Sequence, residues 1–70
     1  MTTQAARRLV LRILRSASRG MTIDGIATRA NRTSPDEMRA IRSAVADLRE
    51  DGTLLGRWLR GTPKPVYGLA

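Results

Sequence analysis

Apolar residues recur at three- and four-residue spacing along the first segment: Ala6, Leu9, Val10, Ile13, Leu14 and Ala17. Thr3 is placed to cap the start, and Gly20 sits where a left-handed residue would end the helix. The pattern predicts a helix over about residues 4–18, with Arg8, Arg12, Arg15 and Arg19 on its other face. A second, shorter pattern follows. Thr22 is a good cap, Met21 and Ile26 have the spacing of a hydrophobic staple, and Asp24 suits the first turn. Ile23, Ile26, Ala27 and Ala30 give it an apolar face over about 23–30, and Asn31 can close it in a left-handed conformation.

Ser34-Pro35-Asp36-Glu37 opens a third helix. Serine caps, proline fits the first helical position, and glutamate three residues on completes a capping box. The Ser-Pro pair also has the form of a phosphorylation site, but the acidic pair directly after it favours capping. Met38, Ile41, Ala44, Val45 and Leu48 form the buried stripe of a helix over about 35–51, which stops at Gly52. Beyond Gly52 the pattern changes. Thr53 to Leu59 and Val66 to Leu69 read as strands, separated by Arg60-Gly61-Thr62-Pro63-Lys64-Pro65. This predicts a hairpin over about 53–69 with a stiff, basic tip. The expected fold class is α+β and mostly helical: a three-helix core with a C-terminal two-stranded hairpin, as one domain spanning residues 1–70.

Composition narrows the function. The chain has no cysteine and no histidine, so neither a disulfide framework nor the usual zinc ligands are expected. No cofactor or metal is expected. The carboxylates at 24, 36 and 37 are explained by helix starts, and those at 47, 50 and 51 mark no pocket, so no enzyme is expected either. No apolar run reaches the length of a membrane span, and the spaced apolar residues near the N-terminus do not read as a signal peptide. A cytoplasmic, nucleoid-associated protein with no membrane partner is the expectation. The charge is the loudest feature: 13 basic residues against 6 acidic, net +7. All the basic residues but Lys64 are arginine, whose planar fork suits phosphates and base edges. GC-rich coding is the plainer source of such a bias, yet a strongly basic small domain is a mark of nucleic-acid binders.

The order helix, helix, helix, hairpin resembles the winged helix-turn-helix superfamily of DNA-binding regulators. The matching pieces are Ile26-Ala27, the turn Asn31 to Thr33, the long third helix, Asp51-Gly52-Thr53-Leu54-Leu55, and Pro65-Val66-Tyr67-Gly68-Leu69. The resemblance implies that the third helix enters the major groove and that the hairpin is the wing. The third helix is about one turn longer than that pattern usually has, with Met38 as an added core position.

On a helical wheel, the face opposite the third helix's core stripe holds Asp36, Arg39, Ser43, Ala46 and Glu50, with Arg42, Arg49 and Ala40 on the flanks. Arg39 is the candidate for reading a guanine edge, Ser43 for supporting it, and Ala46 for packing on a thymine methyl. Arg42 is placed for phosphate, as are Arg29 and Arg32 at the turn. The hairpin adds Arg57, Arg60 and Lys64, fitted to backbone or a neighbouring minor groove. Trp58 and Tyr67 are the only aromatics and are expected to pack the hairpin on the helices. So few aromatics argue against single-stranded nucleic acid. The expected partner is double-stranded DNA, bound sequence-specifically by a transcriptional regulator or an accessory factor of a phage or mobile element. The alternative is a winged-helix module that binds protein or RNA. A weak homodimer or a protein partner stays open.

Overall fold

The computed structural model describes residues 1–17 and 19–70. The first helix, α1, runs Thr3–Ser16, and its cap is Thr2 rather than Thr3. The Thr2 hydroxyl accepts the Ala5 N–H at 3.1 Å, which is the N-cap geometry shifted by one residue. The helix does not run on to a left-handed Gly20. Its C-cap is Ala17, in extended backbone with its N–H on the Ile13 carbonyl. The expected extension to 18 ends on a position outside the described residues.

Gly20 has a different task. A Cβ there would stand 2.5 Å from Val66 Cγ1 and 3.0 Å from the Tyr67 carbonyl oxygen. Glycine is required because the backbone after α1 passes directly over the hairpin. One residue on, Met21 exchanges both backbone hydrogen bonds with Tyr67, at 2.9 and 2.8 Å. The link between α1 and α2 therefore adds a one-residue third rung to the sheet, which the sequence pattern did not predict.

The second helix, α2, spans Ile23–Ala30, with Thr22 accepting the Gly25 N–H and Asn31 left-handed at φ 56°. The third, α3, spans Pro35–Glu50 and begins with the expected capping box. Gly52, at φ 85°, turns the chain into the hairpin. The first strand is shorter than the expected Thr53 to Leu59: β1 is Leu54–Arg57, while β2 is Val66–Leu69 as expected, antiparallel with Leu54 opposite Leu69 and Arg57 opposite Val66.

The core lies between α1, α2, α3 and one face of the hairpin. Its largest fully buried side chains are Val10, Ile26, Ile41, Val45, Leu48 and Leu54, so each helix and β1 contributes. Removing a side chain of this kind from water stabilises the fold by about 1.5–3 kcal/mol before entropy is charged against it. Tyr67 closes the core from β2, as expected. Ile23, Ala30 and Met38 pack against it while only half-buried. Trp58 departs from expectation: it lies past the end of β1 with 68% of its surface exposed and does not pin the hairpin to the helices.

Candidate nucleic-acid interface

The start of α3 is held by local chemistry. The Ser34 hydroxyl accepts the Glu37 N–H at 3.3 Å, and Glu37 Oε1 accepts both the Ser34 hydroxyl, at 2.8 Å, and the Ser34 N–H, at 3.4 Å. The Ser34 hydroxyl chiefly holds the Glu37 carboxyl below the ordinary 4.5; burial opposes it, and the Ser34 N–H and Arg32 Nη1 at 3.3 Å lower it further by less. Left-handed Asn31 ends α2 and turns the chain toward α3. The result is a fixed α3 whose outer face is free.

Charges on that face are sorted. At about 100° per residue, Arg49, Arg42, Ala46 and Arg39 follow one another from one edge of the buried stripe to the outer face. Asp47, Asp36, Ser43 and Glu50 follow from the opposite edge. Two observations place the basic edge beside the hairpin. The Arg49 guanidinium lies 5.6 Å from the Tyr67 ring centroid, and Arg42 lines a small pocket with Asp24, Lys64, Pro65 and Tyr67. The acidic edge continues toward α1, where Asp51 accepts from Arg7 at 3.1 Å. Thus Arg42 and Arg49 lie beside the hairpin, Arg39 stands on the outer face with Asp36, and Asp51 at the end of α3 pairs with α1.

The structure brings some candidates together and disperses others. Arg39, Arg42, Ser43 and Ala46 are exposed on α3, with Arg39 3.6 Å from Asp36 in a solvent-exposed pair. Arg60 is exposed beside Gly61, whose φ of 83° turns the tip. Lys64 is engaged: its ammonium pairs with Asp24 at the start of α2, tying the far side of the loop to the helices. The Lys64 hydrogen bond and charge, with Arg42 adding to them, hold the Asp24 carboxyl below its ordinary 3.8.

Arg57 is on the wrong face to join this strip. Residues opposite one another in an antiparallel pair share a face, so Gly56 and Tyr67 face Arg49 while Arg57 and Val66 face away. Arg29 is exposed on the last turn of α2. Arg32 shares a shallow depression with Arg8 and Arg12 of α1, away from the hairpin.

Arg49 and Asp24 belong to the site but were not singled out from the sequence. The signal for Arg49 was its spacing of seven from Arg42, which repeats the same edge of a helix. Nothing in the sequence pairs Asp24 with Lys64. Among the described residues, no group of carboxylates could hold a metal ion and no helix is long and apolar enough to cross a membrane. No family model, curated protein or solved structure matches the chain.

Proposed function

We propose that this chain binds double-stranded DNA sequence-specifically as a winged helix-turn-helix domain, with α3 in the major groove and the hairpin as the wing, in the manner of a small transcriptional regulator. The observation that carries this reading is the placement of arginine on α3: Arg42 and Arg49 lie on the edge that adjoins the hairpin, and Arg39 stands beyond them on the exposed outer face near the capped start. A helix lying in the major groove has phosphates along both flanks and bases at its tip. The basic edge and the hairpin would straddle one backbone strand. Arg39, two turns or less from the capped start, would reach a base edge, and the acidic edge would tilt out of the groove.

Selection of bound duplexes from a random pool tests the reading. A defined sequence preference is expected. Arg39→Ala should then lower affinity for the selected duplex by about 1–3 kcal/mol and relax the preference at one base position. Arg42→Ala and Arg49→Ala should weaken selected and scrambled duplexes alike. A folded protein that selects no sequence, or an Arg39→Ala variant unchanged on both duplexes, would remove α3 as the reader.

A further inference from the structure

The hairpin face turned away from α3 carries a second surface. Leu55 on that face is 59% exposed; Leu59, past the end of β1, and Leu69, which pairs with Leu54 at the end of β2 and so belongs to the other face, border it at 45% and 44% exposed. Together with the end of α1 they line a groove of about 540 Å³. Arg15, Arg19 and Arg57 stand along it, and no acidic residue does among the described residues. Three half-exposed leucines edged by three cations and no carboxylate make a concave surface complementary to a segment that carries both apolar side chains and negative charge.

We propose that this groove docks an acidic segment of a partner protein that carries spaced apolar side chains. The leucines would take the apolar side chains and the arginines the carboxylates. A second copy of this chain does not fit. Two such faces brought together would set six arginines against one another (three from each copy), and the acidic edge of α3 offers no exposed large apolar residue to enter the groove. A bilayer surface is flat, whereas this surface is concave. The inference stands independently of DNA binding, since Arg15, Arg19 and the leucines take no part in the α3 site. If both hold, the two partners occupy opposite faces of the hairpin.

The probe is a short synthetic peptide of alternating glutamate and leucine, with two controls: leucine replaced by serine, and glutamate replaced by lysine. Binding is followed by fluorescence anisotropy and by methyl chemical shifts of the protein. The Glu-Leu peptide should bind and shift the methyls of Leu55, Leu59 and Leu69, while the lysine control should not bind. The variants Arg15→Glu with Arg19→Glu, and Leu55→Asn with Leu59→Asn, should each weaken binding about tenfold or more. If the charge reversal fails to fold, Arg15→Ala with Arg19→Ala takes its place, and circular dichroism confirms the fold of each. Four outcomes would overturn the proposal: no binding; equal binding of the Glu-Ser control; binding to phosphatidylserine vesicles but not to the peptide; or concentration-dependent sedimentation of the free protein that Leu55→Asn with Leu59→Asn abolishes.

Discussion

Gly20 and Trp58 show how far a single residue's role depends on what folds over it. Gly20 follows a helical pattern, and a glycine there reads as a left-handed stop. In the structure α1 has already ended at Ala17, and Gly20 instead lets the chain cross Val66 and Tyr67. A methyl group at that position would have to displace a β-branched side chain and a strand carbonyl, neither of which moves freely. Gly20→Ala should therefore destabilise the fold by about 1–3 kcal/mol, read as a lowered melting temperature with an otherwise native spectrum. Gly52→Ala should also destabilise, but through its positive φ alone, because nothing lies within 4 Å of a Cβ there. Trp58 is the converse case. An aromatic in a strand-like run reads as packing, yet β1 ends one residue earlier and leaves the ring in solvent. Strand length depends on the partner strand and the loop, and the sequence around Trp58 contains neither.

At the scale of elements, what depends on neighbours in sequence was legible and what depends on docking was not. The capping box of α3, the Thr22 cap and left-handed Asn31 each involve residues within a few positions, so their chemistry is written in order along the chain. The buried stripe of α3 was legible for the same reason. Which flank of α3 meets the hairpin was not, because that is decided by how β1 and β2 return over the core. The wheel orders the charges around α3, but only the packed structure shows that the edge with Arg42 and Arg49 is the one beside the hairpin. The same local bonds predict a pH dependence. Asp24 is held low by Lys64, Glu37 by Ser34, and Asp51 chiefly by the Thr53 hydroxyl at 2.6 Å. A carboxyl with a lowered folded-state value contributes stability above its unfolded value and loses it as pH falls through the lowered one. Stability from these groups should be level above about pH 5 and decline below pH ~4. Melting curves at neutral and acid pH check this: Glu37→Gln should lower the neutral melting temperature and reduce the loss on acidification, because its share is already gone.

On the scale of the whole molecule, net charge +7 is divided among separate surfaces. The α3 edge and hairpin tip form one, Arg15, Arg19 and Arg57 another, and Arg8, Arg12 and Arg32 a third. Composition revealed the excess but not this division, so DNA binding should be much less salt-dependent than thirteen cations would suggest. If about three phosphates are neutralised by Arg42, Arg49 and Arg60, log affinity should fall with log salt at a slope of roughly −3. Titrations of duplex binding against salt measure it. Arg60→Ala should reduce the slope by about one and weaken all sequences alike.

Asp24 offers the sharper test, because it subtracts from the same surface. Its carboxylate holds the Lys64 ammonium and lies in one pocket with Arg42, so it neutralises part of the cationic seam where α3 meets the hairpin. Asp24→Asn removes that charge and frees Lys64 for phosphate. Both changes act without regard to base sequence. The variant should bind scrambled and selected duplexes more tightly by a similar factor, with a steeper salt slope, and so leave the ratio between them unchanged. Its melting temperature should fall slightly, since the tie between the loop and α2 is lost along with a favourable charge near the start of a helix. Lys64→Ala should do the opposite to affinity and cost more than Arg60→Ala. It deletes a cation and leaves the Asp24 carboxylate uncompensated beside Arg42. Equal effects of Lys64→Ala and Asp24→Asn on duplex affinity would mean that this seam does not face the DNA.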